Sequence, residues 1–398
     1  MKRSSVLILV ALGVALSGCN WLKSLGKKDN VEPPTPLTEF TPTAAVQKLW
    51  TEGVGDGSGD SGARLAPTIV DGHLYAASVD GVVEAIDAAS GRTIWQKKLG
   101  TRKGWLWKRG DNSLRWSGGP AVAGDLLVVG SLDGEVYALS AQDGSERWHA
   151  TVSSEVISRP AIGAQIVVVR TVDGRLTGLD VADGSRKWVF DQSVPPLSLR
   201  GNSSPVIIGD AVYDGFDNGK IVAVRLADGA PLWVQTLSTG EGRTEVERLA
   251  DVDGEVVDVG GNVVAVGYRG QMAAIAASNG RPMWQRDISS YGGAAAGDSA
   301  LVLADAEGDV WAFDRDTGAS LWKQDQLKYR WLGSPAVQGK YVVVGDSEGY
   351  VHWLSLDEGK FVARKRLGKK PIESAPVVVG DTVYVEDVRG KIGAYSVR

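Results

Sequence analysis

The sequence has 398 residues and a formal net charge of −5, which argues against nucleic-acid binding because that function needs a basic surface. A single cysteine excludes an internal disulfide. The chain has 51 glycines but only 3 methionines and 5 phenylalanines, and no long segment has helical periodicity. Together these features favour an all-β fold.

The N-terminus has the pattern of a signal peptide. Lys2 and Arg3 precede an apolar run at residues 6–16. That run is too short to cross a bilayer as a stable helix, but it suits the core of a signal peptide. We therefore predict a lipoprotein signal peptide at residues 1–18.

A lipid-attachment motif follows directly. The sequence Leu16-Ser17-Gly18-Cys19 resembles the bacterial lipobox, in which the cysteine is acylated and the preceding peptide is removed. Cys19 is the only cysteine of the chain, so its position favours lipidation, with palmitate among the acyl chains, over a structural role. Each buried CH₂ of an acyl chain adds about 0.8 kcal/mol of membrane affinity. Asn20 replaces the aspartate that retains lipoproteins in the inner membrane. The resemblance thus implies an outer-membrane anchor facing the periplasm.

Residues 19–43 are predicted to carry the lipidated cysteine on a flexible linker. Four prolines and scattered charges in this segment favour extended conformations and leave too few apolar residues to build a core. The folded domain is then predicted at 44–398.

A tryptophan repeat organises that domain. Seven tryptophans recur at intervals of about 40–50 residues, the repeat length of a β-propeller blade built from short strands. From the second onward, each closes the same phrase: an apolar stretch, an Asp-Gly-like pair, a second apolar stretch, a glycine, three residues and the tryptophan. We interpret them as blade-packing residues that bury large areas. They are Trp50, Trp95, Trp148, Trp188, Trp233, Trp284 and Trp322.

The blades can be counted from the second turn of each phrase, where a glycine suits the positive φ of a tight hairpin. Eight such glycines predict an eight-bladed β-propeller with four-stranded antiparallel blades. Six prolines are predicted to precede the first strands of their blades, since proline donates no ladder hydrogen bond. The glycines are Gly81, Gly134, Gly174, Gly219, Gly270, Gly308, Gly349 and Gly390, and the prolines are Pro67, Pro120, Pro160, Pro205, Pro335 and Pro376.

Two irregularities indicate how the ring closes. Ala363 stands where the seventh blade should have its tryptophan, and the eighth blade reaches Arg398 after three strands. Residues 45–53, which contain Trp50, are predicted to supply the missing outer strand. Closure by a strand from the other terminus removes open sheet edges.

The search for catalytic chemistry finds no pattern. His73, His149 and His352 fall in different blades without metal-ligand spacing. No nucleophile elbow or phosphate loop is present in the sequence. We therefore predict no catalytic residue, no metal and no cofactor.

One enzymatic alternative rests on residues 312–322, which fit A-x-D-x-x-T-G-x-x-x-W. This phrase resembles the tryptophan-docking motif of eight-bladed quinoprotein dehydrogenases, which bind pyrroloquinoline quinone and Ca²⁺. In that family the motif packs blades together, so it reports the fold rather than chemistry. The quinone site there commonly uses a vicinal disulfide, which a single cysteine cannot form. Glycan binding and scaffolding of another envelope complex are further alternatives.

Two links between blades have the composition of a protein-binding surface. The link after Trp188 contains Leu197, Leu199 and Arg200, and the link after Trp233 contains Asp251 and Asp253. Consecutive links of a propeller lie side by side, so the predicted surface has an apolar centre and a charged rim. Alternatively, the leucines pack under the loop and the aspartates cap turns. The residues alone leave both interpretations open.

The mature chain resembles the BamB family, lipoprotein subunits of the outer-membrane β-barrel assembly machinery. The phrases that carry the resemblance are residues 196–201, 244–253 and 344–353. It implies an eight-bladed scaffold without catalysis that binds the POTRA domains of BamA and aids insertion of outer-membrane proteins. The implied contact residues are Leu197, Leu199, Arg200, Asp251 and Asp253.

Two further roles are less well supported by the sequence. Unfolded strands of outer-membrane proteins are a second implied partner through edge pairing, although closed blades leave only short edges. The basic, Trp-containing link at 101–116 does not match the family. It is either an additional contact or a solvated loop.

The lipobox generates the first testable prediction. Cys19→Ser should leave a folded protein that moves from the membrane pellet to the soluble fraction, because the acyl chains are lost. Cell fractionation and a melting curve measure the two properties. Unchanged membrane association in cells that lack the partner complex would contradict lipidation.

Overall fold

The computed structural model describes residues 32–100, 114–198, 203–239, 243–244 and 249–397, and residues 35–398 form one compact unit. The described residues contain 32 strands and no helix. The strands are β1 Val46–Gly53, β2 Thr68–Val70, β3 His73–Ala77, β4 Val82–Asp87, β5 Thr93–Lys98, β6 Trp116–Ala123, β7 Leu126–Ser131, β8 Glu135–Ser140, β9 Glu146–Thr151, β10 Ala161–Ile162, β11 Ile166–Thr171, β12 Arg175–Asp180, β13 Arg186–Asp191, β14 Val206–Ile208, β15 Ala211–Gly215, β16 Lys220–Arg225, β17 Pro231–Thr236, β18 Val257–Asp258, β19 Asn262–Val266, β20 Gln271–Ala276, β21 Pro282–Asp287, β22 Ala294–Ala296, β23 Ala300–Ala304, β24 Val310–Asp314, β25 Ser320–Gln324, β26 Ala336–Gln338, β27 Tyr341–Gly345, β28 Tyr350–Ser355, β29 Phe361–Arg366, β30 Val377–Val379, β31 Thr382–Glu386 and β32 Lys391–Val397.

These strands form eight four-stranded antiparallel sheets, which confirms the predicted eight-bladed propeller. Seven blades use four consecutive strands each, from β2–β5 in the first to β26–β29 in the seventh. Their short inner strands contact one another around the ring, and β2 touches both β6 and β30. The second and third strands of each blade are mostly buried. In outer strands such as β17, exposed side chains alternate with partly buried ones.

The eighth blade closes the ring as the sequence predicts. Its order is β1-β32-β31-β30, so the outer strand comes from the N-terminal side. The register runs from Val46 opposite Val397 to Gly53 opposite Lys391, with one irregularity between Lys48 and Trp50. Because β1 pairs with β32, the eighth blade has its full set of four strands and the ring is closed.

One contact repeats between neighbouring blades and explains the tryptophan spacing. The indole N–H of an outer-strand tryptophan donates to a backbone carbonyl of the next blade, at 2.6–2.9 Å for Trp50, Trp95, Trp148, Trp188, Trp233 and Trp322. The indole ring also lies against a turn glycine of that blade, where a Cβ would come within 2.4–2.8 Å of ring atoms. The tryptophan–glycine pairs are Trp50–Gly91, Trp95–Gly144, Trp148–Gly184, Trp188–Gly229, Trp233–Gly280, Trp284–Gly318 and Trp322–Gly359.

The junction between the seventh and eighth blades is built differently. No turn joins β32 to β1, so the eighth blade offers no glycine to receive an indole. Ala363 is buried there, and the amides of Thr43 and Ala44 both donate to the carbonyl of Val362. Trp353 and Tyr395 fill the interior with an edge-to-face contact at 5.7 Å between ring centroids. This packing accounts for the missing tryptophan.

Residues 35–43 contact the seventh blade, although the sequence placed them in the flexible linker. Arg330 donates to the carbonyl of Thr35 at 2.8 Å, and Arg364 donates to that of Thr38 at 3.1 Å. Phe40 stacks on Phe361 with centroids 5.5 Å apart. A proline-rich segment can dock in this way because its carbonyls remain available to side-chain donors.

Two local predictions are wrong. Pro120 lies inside β6 rather than before it, at a register irregularity that removes the need for its missing N–H. In the fifth blade, Arg269 rather than Gly270 has the positive φ of the second turn, at 50°. The other five prolines directly precede their strands.

The tryptophan–glycine contact can be tested with two glycines of similar backbone geometry. Gly359 has φ +67° and a Cβ there would lie 2.4 Å from the Trp322 ring, whereas Gly209 has φ +59° and nothing within 4 Å. Gly209→Ala should cost about 1–2 kcal/mol from backbone strain alone. Gly359→Ala should cost about 1–3 kcal/mol more, because the methyl group overpacks the junction.

Denaturant unfolding of both variants measures this difference. Equal losses of unfolding free energy would show that the indole contact does not constrain the ring.

Candidate partner-binding site

The two predicted links lie on either side of one hairpin. The turn between β15 and β16, residues 216–219, reaches the first link through Asn218, whose amide donates to Gln192 at 3.2 Å and to the Ser193 carbonyl at 3.1 Å. The same turn receives the second link through Phe216, whose carbonyl accepts from the Val252 amide at 3.2 Å. The predicted side-by-side arrangement is therefore confirmed.

The first link presents apolar side chains to solvent. Leu197 is 42 % exposed, as expected of a residue available to a partner. Val194 is also exposed, and the sequence analysis missed it, although an apolar residue directly before the pair Pro195-Pro196 is a recognisable signal. Leu199 and Arg200 lie outside the described residues.

The second link places its carboxylates differently from the prediction. Asp251 is fully buried and Asp253 is only 6 % exposed, so the prediction of an exposed charged rim is wrong for these two residues. The backbone here folds inward because Val252 packs in the core beside the fourth blade. The Asp251 carbonyl also accepts from the Tyr268 amide at 2.7 Å.

A buried arginine that sequence reasoning missed organises the space beneath the links. Arg170, at the end of β11, is 1 % exposed. Its guanidinium lies 3.4 Å from the Asp214 carboxylate and 3.3 Å from that of Asp217, and it stacks over the Phe216 ring at 4.1 Å. Its position in an otherwise apolar strand, IVVVRT, was the available signal. A buried cation there requires buried anions nearby.

Asp214 and Asp217 contact Arg170, and the carboxyl groups of Asp251 and Asp217 act on that of Asp253. We term this group the buried acid cluster: Arg170, Asp214, Asp217, Asp251 and Asp253. Burial raises the pKa of Asp253 to about 8, and the carboxylates of Asp251 and Asp217 add to that effect. Burial also raises the pKa of Asp214 to about 7, opposed by Arg170. Arg64 and Arg170 oppose the shift of Asp253 but do not cancel it, so the cluster holds protons near neutral pH.

The histidines have structural roles where the structure describes them. His352 is buried, with Nε2 3.0 Å from the Asp346 carboxylate and Nδ1 accepting from Arg364 at 3.2 Å. Burial lowers its pKa, so the imidazole is neutral and donates through Nε2. His149 is exposed beside Glu146. The described part of the chain contains no group of three His, Cys, Asp or Glu that could hold a metal ion.

A cavity of about 360 Å³ opens where the inner strands meet. It is lined mainly by small residues and by Arg64, Arg159, Asp253 and Glu255. Arg159 pairs with Glu255 at 2.8 Å, and Arg64 donates to the Tyr291 carbonyl at 2.6 Å. Three of its four charged groups, Arg64, Arg159 and Glu255, thus already bind protein atoms.

Within the described ranges, no helix is long and apolar enough to cross a bilayer.

Comparison with known proteins decides the family. The family model described as outer membrane protein assembly factor BamB matches residues 79–324 and 306–398. A BamB from Xanthomonas campestris is 44 % identical over 398 residues, covering 98 % of this chain and 97 % of that protein. The BamB of Escherichia coli K12 is 40 % identical, covering 96 % of this chain and 95 % of that protein. The chain belongs to the BamB family. Its role is therefore in outer-membrane protein assembly. The members of this family are named as assembly factors, not as enzymes.

Solved structures agree with this assignment. The crystal structure of BamB from Moraxella catarrhalis has a TM-score of 0.78 at 27 % identity, covering 88 % of this chain and all of that one. A quinohemoprotein alcohol dehydrogenase from Comamonas testosteroni has a TM-score of 0.68 at 14 % identity, covering 88 % of this chain and 76 % of the enzyme. The second similarity shows the shared propeller fold alone.

The buried acid cluster predicts a pH dependence of stability. An acid whose folded pKa is raised binds its proton more tightly when folded, so its stabilising effect is present below pH 4 and is lost as the pH rises toward 8. Asp253→Asn removes that ionisation and should flatten the decline of unfolding free energy between pH 6 and 8. The slope removed is at most about 1.4 kcal/mol per pH unit.

Asp228→Asn is the control, since Asp228 is exposed on the β16–β17 turn and its pKa is lowered by a backbone hydrogen bond from Ala230 and by Arg225. Denaturant titrations across this pH range measure both variants. A wild-type profile that is flat from pH 6 to 8 would contradict the buried, protonated state of Asp253.

Proposed function

We propose that the chain is a lipid-anchored scaffold facing the periplasm, which binds the POTRA domains of BamA through the links at 192–205 and 237–256. The supporting observation is the exposed Leu197 on a link whose base is fixed by Asn218 and by the hairpin it shares with the second link. Membership of an assembly-factor family agrees with such a partner.

The mechanism is positional. An interface gains affinity when its contact residues need no ordering on binding, because ordering a side chain costs about 0.5–1.5 kcal/mol. Here the hairpin at 216–219 ties both links together, and the buried acid cluster supports that hairpin from below. Leu197, Leu199 and Arg200 then act as the contact residues.

In this proposal Asp251 and Asp253 contribute from beneath the surface. Because both side chains are buried, they would act through the packing of the second link rather than meet the partner as rim charges. Salt screens exposed charges far more than buried ones. Their replacement should therefore weaken binding with little dependence on ionic strength.

Unfolded outer-membrane protein strands are a further proposed partner. The outer strand β17 exposes Leu232 and Val234, which alternate along one side of the strand. An extended client could add to such an edge through main-chain hydrogen bonds. The short length of each edge limits this interaction to brief contacts.

The BamA interface is tested by Leu199→Ala together with Arg200→Ala. Truncating an anchor residue typically costs at least about 2 kcal/mol, so losing two should weaken binding to purified POTRA domains by roughly a thousandfold if the effects add. Circular dichroism and melting curves report the fold.

Leu232→Ala provides a control. Leu232 is about as exposed as Leu197, but it lies on the outer strand β17 and not on a link. Full-strength binding by the double variant would place the interface elsewhere, with residues 101–116 the next surface to examine. A collapsed melting temperature would instead show that these side chains pack under the loop.

A further inference from the structure

The link between β25 and β26 exposes two aromatic side chains to solvent, and the backbone of both residues is strained. Trp331 is 61 % exposed and Tyr329 is 40 % exposed. Their φ angles are +48° and +58°, in the left-handed region that bulky residues avoid. Such conformations cost about 1–3 kcal/mol each and persist only where the surrounding structure enforces them.

The residues between and beside them provide that enforcement. Arg330 turns inward, where Nε donates to the Asp346 carboxylate at 2.8 Å and a second nitrogen donates to the Thr35 carbonyl at 2.8 Å. Leu332 packs against the core of the sixth and seventh blades. With Arg330 and Leu332 held inside, the link directs Tyr329 and Trp331 outward.

Basic side chains continue this surface without matching acids. The hairpin at 346–349 joins the strained link to the next one, since Ser347 donates to the Arg330 carbonyl and Leu367 donates to that of Gly349, both at 2.9 Å. On that next link Lys369 and Lys370 are exposed, and no ion pair involves them among the described residues.

The nearby charges leave this surface net positive. Glu348 pairs with Arg330, and Glu307 pairs with Lys328 at 3.2 Å. Glu373 is the exposed acid on the link between β29 and β30. Arg366 adds a third exposed cation, whose guanidinium donates to the Gly368 and Glu348 carbonyls. Asp325 is also exposed, at the start of the strained link, so three cations face two exposed carboxylates.

We propose that this aromatic–basic surface, formed by Tyr329, Trp331, Arg366, Lys369 and Lys370, binds the anionic headgroups of a phospholipid bilayer. Trp and Tyr favour the membrane–water interface, and each nearby Lys or Arg contributes through attraction to anionic lipid.

The position of the N-terminal segment selects the membrane over an acidic protein. Thr35 donates to the Lys328 carbonyl at 3.1 Å and accepts from Arg330, so the chain that leads back to Cys19 joins the propeller at this same link. If Cys19 is acylated as proposed, the segment that carries the anchor departs from the propeller at this surface. One tryptophan and three cations give weak binding, which orients the propeller rather than anchoring it.

The test uses the full chain carrying Cys19→Ser, so that no acyl anchor contributes. Vesicles of phosphatidylethanolamine and phosphatidylglycerol should co-sediment with it at 50 mM salt, whereas phosphatidylcholine vesicles, or 500 mM salt, should not retain it. Adding Trp331→Asn, Lys369→Gln and Lys370→Gln should reduce binding about tenfold or more. Asparagine tolerates the left-handed region, so the melting temperature should not fall.

A matched control replaces one exposed apolar side chain and two exposed lysines on other parts of the surface. Its substitutions are Met283→Asn, Lys48→Gln and Lys360→Gln. Met283 is also 61 % exposed, on β21. Equal vesicle binding by the two triple variants would overturn the proposal, as would absence of binding to anionic vesicles. Capture of polyglutamate without capture of vesicles would assign the surface to an acidic protein instead. The assay contains no BamA, so its outcome is independent of the POTRA interface.

Discussion

The structure depends on one contact between neighbouring blades, the indole of one blade lying on a turn glycine of the next. Each instance buries a large aromatic surface and satisfies its N–H on a backbone carbonyl, as in Trp95 with Ala141. Because the contact links successive blades, it fixes their relative rotation as well as their separation. A ring of eight sheets closes only if that rotation repeats, which makes the spacing of the tryptophans a geometric requirement.

The rigid ring in turn allows its loops to carry unusual local structure. Arg170 and its carboxylates are buried beneath two links, although an unpaired charge in such a place would be costly. The strained Trp331 lies in another link at the same end of the blades. Both features need a framework that does not relax around them, and the inter-blade contacts supply it.

The sequence predicted the framework better than the working surface. Strand periodicity, turn glycines and the repeating tryptophan are local, so blade number and the closing strand could be read directly. The burial of Asp251 and Asp253 could not, because Val252 between them packs into the core of neighbouring blades. The environment of Asp253 also includes Arg170, which lies far earlier in the chain. Residues 35–43 were similarly misjudged, since their ordering comes from Arg330 on a distant link and Arg364 on the distant strand β29. Composition describes what a segment can do alone, and these segments are held by others.

Closure by β1 has a consequence for the order in which the chain acquires its structure. Proteins are synthesised from the N-terminus, so β1 emerges first, while its partner β32 emerges last. Until then β1 has no sheet to join, and Trp50 has only the first blade to contact. The intervening blades can each form from local hairpins as they appear. The final join spans nearly the whole sequence and carries the largest loop-closure entropy, which grows only slowly with loop length. Closure of the ring is therefore the step that needs both ends of the sequence, and it cannot be completed before β32 is available.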